Sequence, residues 1–220
     1  MIDIRISSEL KEICPNIALG CIQAKVSLEK DMKDLWNEIN SVCEELKNKI
    51  TLQEISKLQN IKTSREVYKK LRKDPTRYRL SSESLLRRII KGNELYKINN
   101  IVDINNLISI TSYYSVGSYD IDKLKPPIIF SIGKEGQPYE GIGRGQINIE
   151  NLPVLTDEIG PFGSATSDSE RAMITMQTKN VFMNIISFNG KDQLMKYIDY
   201  GIELLEKYAK AKETMSKIIE

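Results

Sequence analysis

The sequence predicts an α+β protein, and three observations carry that expectation. Apolar residues recur at helical spacing in several segments of the first half and again near the C-terminal end. Residues 127–188 instead hold short apolar runs punctuated by Gly and Pro, the mark of several strands in an antiparallel or mixed sheet. No linker long enough to separate domains interrupts them, so one domain over residues 1–220 is expected.

The elements follow in order. Residues 16–26 are apolar, partly alternating and rich in β-branched side chains, and predict a strand. Met32, Leu35, Trp36, Ile39, Val42, Cys43 and Leu46 form one helical stripe, with Trp36 as a core anchor. Ser64 can cap a short helix whose inner face is Val67, Tyr68 and Leu71. Ser81 or Ser82 can cap a second, with Leu85, Leu86, Ile89 and Ile90 inside and Gly92 as its stop. Asp74-Pro75 breaks the chain between them. Ile101, Ile104, Leu107 and Ile108 mark another helix, capped by Asn99 or Asn100. Strands are then expected at 127–132, 153–156, 172–175 and 180–188, with Gly141-Ile142-Gly143 and Ile147-Asn148-Ile149 among these runs. A long helix with Leu194, Tyr197, Ile198, Gly201, Leu204, Leu205 and Tyr208 on one face is expected to close the chain.

Composition excludes several function classes. The chain has no histidine, which removes Ser-His-Asp and Cys-His nucleophile systems and every His-ligated metal site. Cys14, Cys21 and Cys43 lack C-x-x-C spacing, so free thiols in a reducing cytoplasm are expected. No apolar run approaches a membrane span, and Met1-Ile2-Asp3-Ile4-Arg5 lacks the order of a signal peptide. A cytoplasmic location, with no membrane partner, is the resulting expectation.

The net charge of +2 rules out binding nucleic acid through bulk charge. The charge is nevertheless segregated: residues 62–91 hold eleven Lys and Arg against three acids, a net +8. Arg72, Arg77, Arg79, Arg87 and Arg88, with Tyr68, Tyr78 and Tyr96 interleaved, are candidates for phosphate contact and base stacking on RNA. The alternative is a pair of solvated helices.

Two polar segments could carry chemistry. Gly160–Arg171 is small, hydroxyl-rich and suited to presenting N–H and hydroxyl groups to a ligand, or is an ordinary surface loop. Asn99–Asn106 is a capped helix with a polar flank, or an amide row lining a pocket. Gly141–Gly145 reads as a glycine-rich hairpin, since no helix and no Lys-Ser/Thr follow it as a phosphate loop requires. Asp120, Asp122, Asp157 and Glu158 could serve a lone magnesium site, but as acidic loop residues they are expected to face water.

Together these segments resemble the B3/4 editing domain of the phenylalanyl-tRNA synthetase beta subunit, and the free-standing proteins built from it. The carriers are Ser64–Tyr68, Asp74–Arg79, Ser81–Arg88, Ile98–Asn106, Tyr119-Asp120 and Gly163–Thr178, over roughly residues 60–190. The resemblance implies a β-rich, sandwich-like core with flanking helices and a pocket for an amino acid or aminoacyl end. It implies hydrolysis of a mischarged aminoacyl-tRNA without ATP-dependent activation; separately, no cofactor and no metal are expected. On this pattern Val102–Asn106 aligns with Val-Asp-Ile-Thr-Asn, so Asn105 replaces a threonine and Asn106 matches. Tyr119-Asp120 aligns with Phe-Asp, and Gly117 takes the place of a histidine. Asp168 replaces the editing glutamate, or Glu170 does so from two residues on.

The expected substrate-binding set is therefore Asn105, Asn106, Gly163, Ser164 and Ser167, with Asp168 as the catalytic candidate. The expected activity is trans-editing of aminoacyl-tRNA, the partner being tRNA or aminoacyl-tRNA. The alternative is a non-catalytic module that binds RNA or an amino acid.

Overall fold

Near-continuous apolar runs need cover on both faces, and the two central strands of the main sheet have it. The computed structural model describes Met1–Glu220. Strand β1 (Ile4–Ile6) and helix α1 (Ser8–Ile13) precede β2 (Ala18–Lys25). Helices α2 (Lys33–Lys49), α3 (Gln59–Lys70), α4 (Ser81–Ile90) and α5 (Asn100–Ser112) follow. Then come β3 (Ser115–Asp120), β4 (Ile128–Ile132), β5 (Pro138–Gly141), β6 (Gly145–Asn148), β7 (Pro153–Thr156), β8 (Pro161–Ser164) and β9 (Asn180–Ser187). Helix α6 (Leu194–Ala209) and β10 (Lys212–Ile219) complete the order.

One sheet has the order β10-β2-β9-β3 and is antiparallel throughout. The other has the order β1-β4-β7-β8, with only β1 and β4 parallel. Strands β5 and β6 form a separate hairpin. The sheets meet where the Tyr119 ring of β3 stands edge-on to Phe162 of β8, with centroids 4.9 Å apart. Helices α5 and α6 pack against each other, α6 against β2 and α5 against β3. The result is the expected α+β class: a β-rich, two-sheet core, flanking helices and a long helix near the C-terminus. Fully burying an aromatic such as Phe182 contributes about 2–3 kcal/mol, so this shared interior dominates the stability.

The helical faces hold as expected. Leu35, Trp36, Ile39 and Leu46 are buried in α2, and Leu194, Ile198, Leu204 and Leu205 in α6. Asn99 caps α5 by accepting from Val102 N at 3.0 Å. Asn100 instead ties three segments together: its amide donates to Ser27 O and Tyr208 O and accepts from Glu29 N. The three cysteines are unpaired, with Cys14 and Cys21 buried.

Several expectations are corrected. Helix α3 begins at Gln59, and Ser64 lies inside it, its Oγ donating to Asn60 O. Leu80 occupies the cap of α4; Ser81 and Ser82 form its first turn, with Ser81 N donating to Ala165 O. Residues 172–175 are not a strand. A 3-10 turn covers Glu170–Ala172, and Thr175 and Thr178 then bond each other's backbone, a local closure that competes with a ladder. Pro161–Ser164, expected within a loop, is strand β8, because β7 supplies its pairing partner. The long helix α6 does not close the chain. Lys210 turns left-handed at φ 51°, and the charged edge strand β10 returns along β2. Asp120 and Asp157 do not face water: Asp120 accepts from Thr178 Oγ1, and Asp157 pairs with Arg171 at 2.9 Å.

Candidate functional site

Helical spacing puts Ser81, Ser84, Leu85 and Arg88 on one face of α4. That face forms one wall of a recess of about 390 Å³. Asn106 of α5 faces it, and Thr166, just beyond β8, and Arg144, in the β5–β6 turn, complete the polar lining. Leu95, Tyr96 and Ile98 give it an apolar side. The segment bearing them is anchored by Asp103, whose carboxylate accepts from Ile98 N at 3.2 Å and from Trp36 Nε1 at 2.8 Å. Trp36 is thus a core anchor that also orients a cleft wall. No carboxylate lines the recess, while Arg88 and Arg144 bring two guanidiniums, neither in a salt bridge. Such a wall attracts anions.

The expected binding residues fall into two layers. Asn106 lines the recess, whereas Asn105 accepts from Ser118 Oγ of β3 at 2.9 Å. Gly163, Ser164, Ser167 and Asp168 belong to β8 and the tight turn that carries Thr166 into the wall. Ser164 Oγ donates to Ser167 O at 2.8 Å and accepts from Thr166 N and Ser167 N. The Tyr139 hydroxyl donates to Ser167 O and lies 3.1 Å from Ser164 Oγ. Asp168 Oδ1 accepts from the Tyr119 hydroxyl at 2.7 Å and from Ser164 N at 3.2 Å. Asp168 as a residue keeps some solvent contact, yet protein atoms crowd its carboxyl. That desolvation pushes its pKa up to about 6, against the opposing pull of the two hydrogen bonds.

A steric exchange explains Gly117. A Cβ at Gly117 would lie 2.3 Å from the Tyr119 hydroxyl, and one at Gly163 would lie 2.2 Å from it. The hydroxyl fills the space that a side chain at 117 would need. A tyrosine at 119 and a bare backbone at 117 therefore belong together. Asn184, paired with Gly117 across β9, is fully buried with neither amide atom hydrogen-bonded.

The basic stretch also divides. Glu83 is completely buried, and Arg65 and Arg87 bond its carboxylate at 2.9 and 2.8 Å, with Arg79 3.8 Å away. Arg79 and Arg87 therefore neutralise an interior charge. Arg72 and Arg77 are exposed, and Arg88 joins the recess. Tyr68 is buried against Thr166, while Tyr78 lies between Lys73 and Arg77. Sequence reasoning did not assign Ser81, Ser84, Thr166 or Arg144 to the site. The spacing within α4 signalled the first two; nothing local signals Arg144, which arrives through the hairpin's placement.

Fold and recess define an α+β protein with a polar, electropositive cleft between two helices and a strand-following turn. A family model of the B3/4 domain matches residues 63–210, more than half of the chain, and the chain belongs to that family. The match extends beyond the expected region of about 60–190 to include α6. Among solved structures the chain is similar to an N-terminal fragment of the phenylalanyl-tRNA synthetase beta-subunit from Pyrococcus horikoshii, at 14% identity and a TM-score of 0.46. The alignment covers 99% of this chain and 50% of that one, so the chain spans half the fragment's length. No curated protein matches the chain. No helix is long and apolar enough to cross a membrane.

Proposed function

We propose that this B3/4 protein acts in trans on aminoacyl-tRNA, taking the aminoacyl end into the α4–α5 recess and hydrolysing its ester. One observation carries this: two guanidiniums without a carboxylate partner share a small cleft with four neutral polar side chains. Arg88 and Arg144 suit the terminal phosphate. Ser81, Ser84, Asn106 and Thr166 offer acceptors to an ammonium group and to ribose hydroxyls. An aminoacyl ester is already activated. Holding a water beside it and placing guanidinium charge near the developing oxyanion supplies rate without a histidine.

The test is release of amino acid from a panel of mischarged tRNAs. Turnover is expected with at least one. Asn106→Ala and Arg144→Gln should each lower kcat/KM by about tenfold or more, equivalent to ~1.4 kcal/mol of lost transition-state binding. No release from any member would sink the hydrolytic claim.

A second reading is favoured by a specific observation: no carboxylate lines the cleft, and Asp168, the acid expected to act, is engaged by Tyr119. On that reading the module binds an amino acid or RNA end without cleaving it. Saturable binding of aminoacyl-tRNA with no amino acid released identifies this case.

A further inference from the structure

Tyr96 is 67% exposed at the edge of the recess, beside Ile98 at 49%. Both line the recess, so this exposed apolar surface is continuous with a cleft. Arg88 lies over the Tyr96 ring, its Cζ 4.0 Å from the centroid. Its Nε donates to Glu94 O, which holds the guanidinium in that stack. The ring is thus braced by a cation, and the segment is anchored at Ile98 by Asp103. Arg144 stands on the same recess with no carboxylate partner.

Resting on the reading of the recess as an aminoacyl-end site, we propose that Tyr96 is the stacking platform for the last nucleobase of single-stranded RNA. Arg144 takes the adjoining phosphate. The occupant follows from charge and shape together. A flat aromatic suits a planar base, and the Arg144 guanidinium, with no carboxylate partner, suits a phosphate on the same nucleotide's ribose. An apolar ligand would leave Arg144 unmatched.

The test uses the whole chain and a fluorescein-labelled RNA pentanucleotide ending in adenosine, beside the same RNA with an abasic last residue. Wild type should prefer the base-bearing RNA by about fivefold or more, the lower end of base–aromatic stacking. Tyr96→Ala should lose that preference, and Tyr96→Phe should keep it within about twofold. Arg144→Gln should reduce the slope of log affinity against log salt by about 0.7, one single-strand phosphate contact. Equal binding of the two RNAs, or a Tyr96→Ala variant that discriminates like wild type, overturns the platform. Ester cleavage by that unaffected variant would leave the hydrolytic reading standing while the platform fails. Base discrimination by wild type without any ester cleavage would do the reverse.

Discussion

The Tyr119 hydroxyl donates to Asp168 Oδ1 at 2.7 Å, a bond between residues 49 positions apart. It links β3 of one sheet to the turn after β8 of the other. The same tyrosine packs edge-on to Phe162 and fills the space above Gly117 and Gly163. One side chain thereby sets the sheet contact, orients the acid and determines which residues can stand at 117.

Asp168 makes stability depend on pH. Its folded pKa of about 6 lies above the ordinary 3.8, so the folded chain binds the proton more tightly. Stability from this group therefore falls as pH rises between about 4 and 6, and the penalty is fully present above 6. Two pKa units correspond to at most about 3 kcal/mol. Urea unfolding at pH 4, 5, 6 and 7 should show wild type losing ground to Asp168→Asn across that window. A constant difference between the two would show that Asp168 does not titrate there.

Gly117→Ala should destabilise by about 1–3 kcal/mol, because its new methyl would overlap the Tyr119 hydroxyl. Tyr119→Phe alone should also destabilise, through loss of a hydrogen bond to a carboxylate. The double variant should be less destabilised than the sum of the two, since the phenylalanine vacates part of the contested space. Strict additivity in a double-mutant cycle would refute the steric exchange.

Glu83→Gln should cost about 3–5 kcal/mol, the penalty for removing one partner of a buried ion pair. Arg65→Ala should cost less, because Arg87 still holds Glu83 at 2.8 Å. Urea midpoints with unchanged m-values would report both. A Glu83→Gln variant as stable as wild type would mean that the arginine cluster does not depend on this acid.

Arg72 and Arg77 are the exposed arginines of the basic stretch and lie outside the Glu83 cluster. Reversing both to Glu should weaken tRNA binding and flatten its salt dependence, since each lost phosphate contact removes counterion release. Arg79→Gln should have a smaller effect on the slope, because Arg79 already faces Glu83. Identical slopes for wild type and the double reversal would assign these two residues to a solvated surface.

Elements whose burial repeats at a local period can be read directly from the chain. The stripes of α2 and α6 are legible because one face of each meets the core, and α5 is legible from its apolar spacing although it is buried on nearly every side. Strands β2 and β9 are legible as continuous apolar runs, because both of their faces are covered. The charge segregation and the motif order that point to the B3/4 family are equally local. Tertiary structure alone decided the rest. Strand β10 alternates weakly and carries charge because it lies on an edge, and only its pairing with β2 makes it a strand. The residues of β8 become a strand only beside β7. Asp168 owes its raised proton affinity to the atoms that crowd it, against the pull of Tyr119 and Ser164, and Arg144 reaches the recess through a hairpin whose own sequence says nothing of α4. Period and charge are properties of neighbours along the chain, whereas pairing, desolvation and cleft walls depend on neighbours in space.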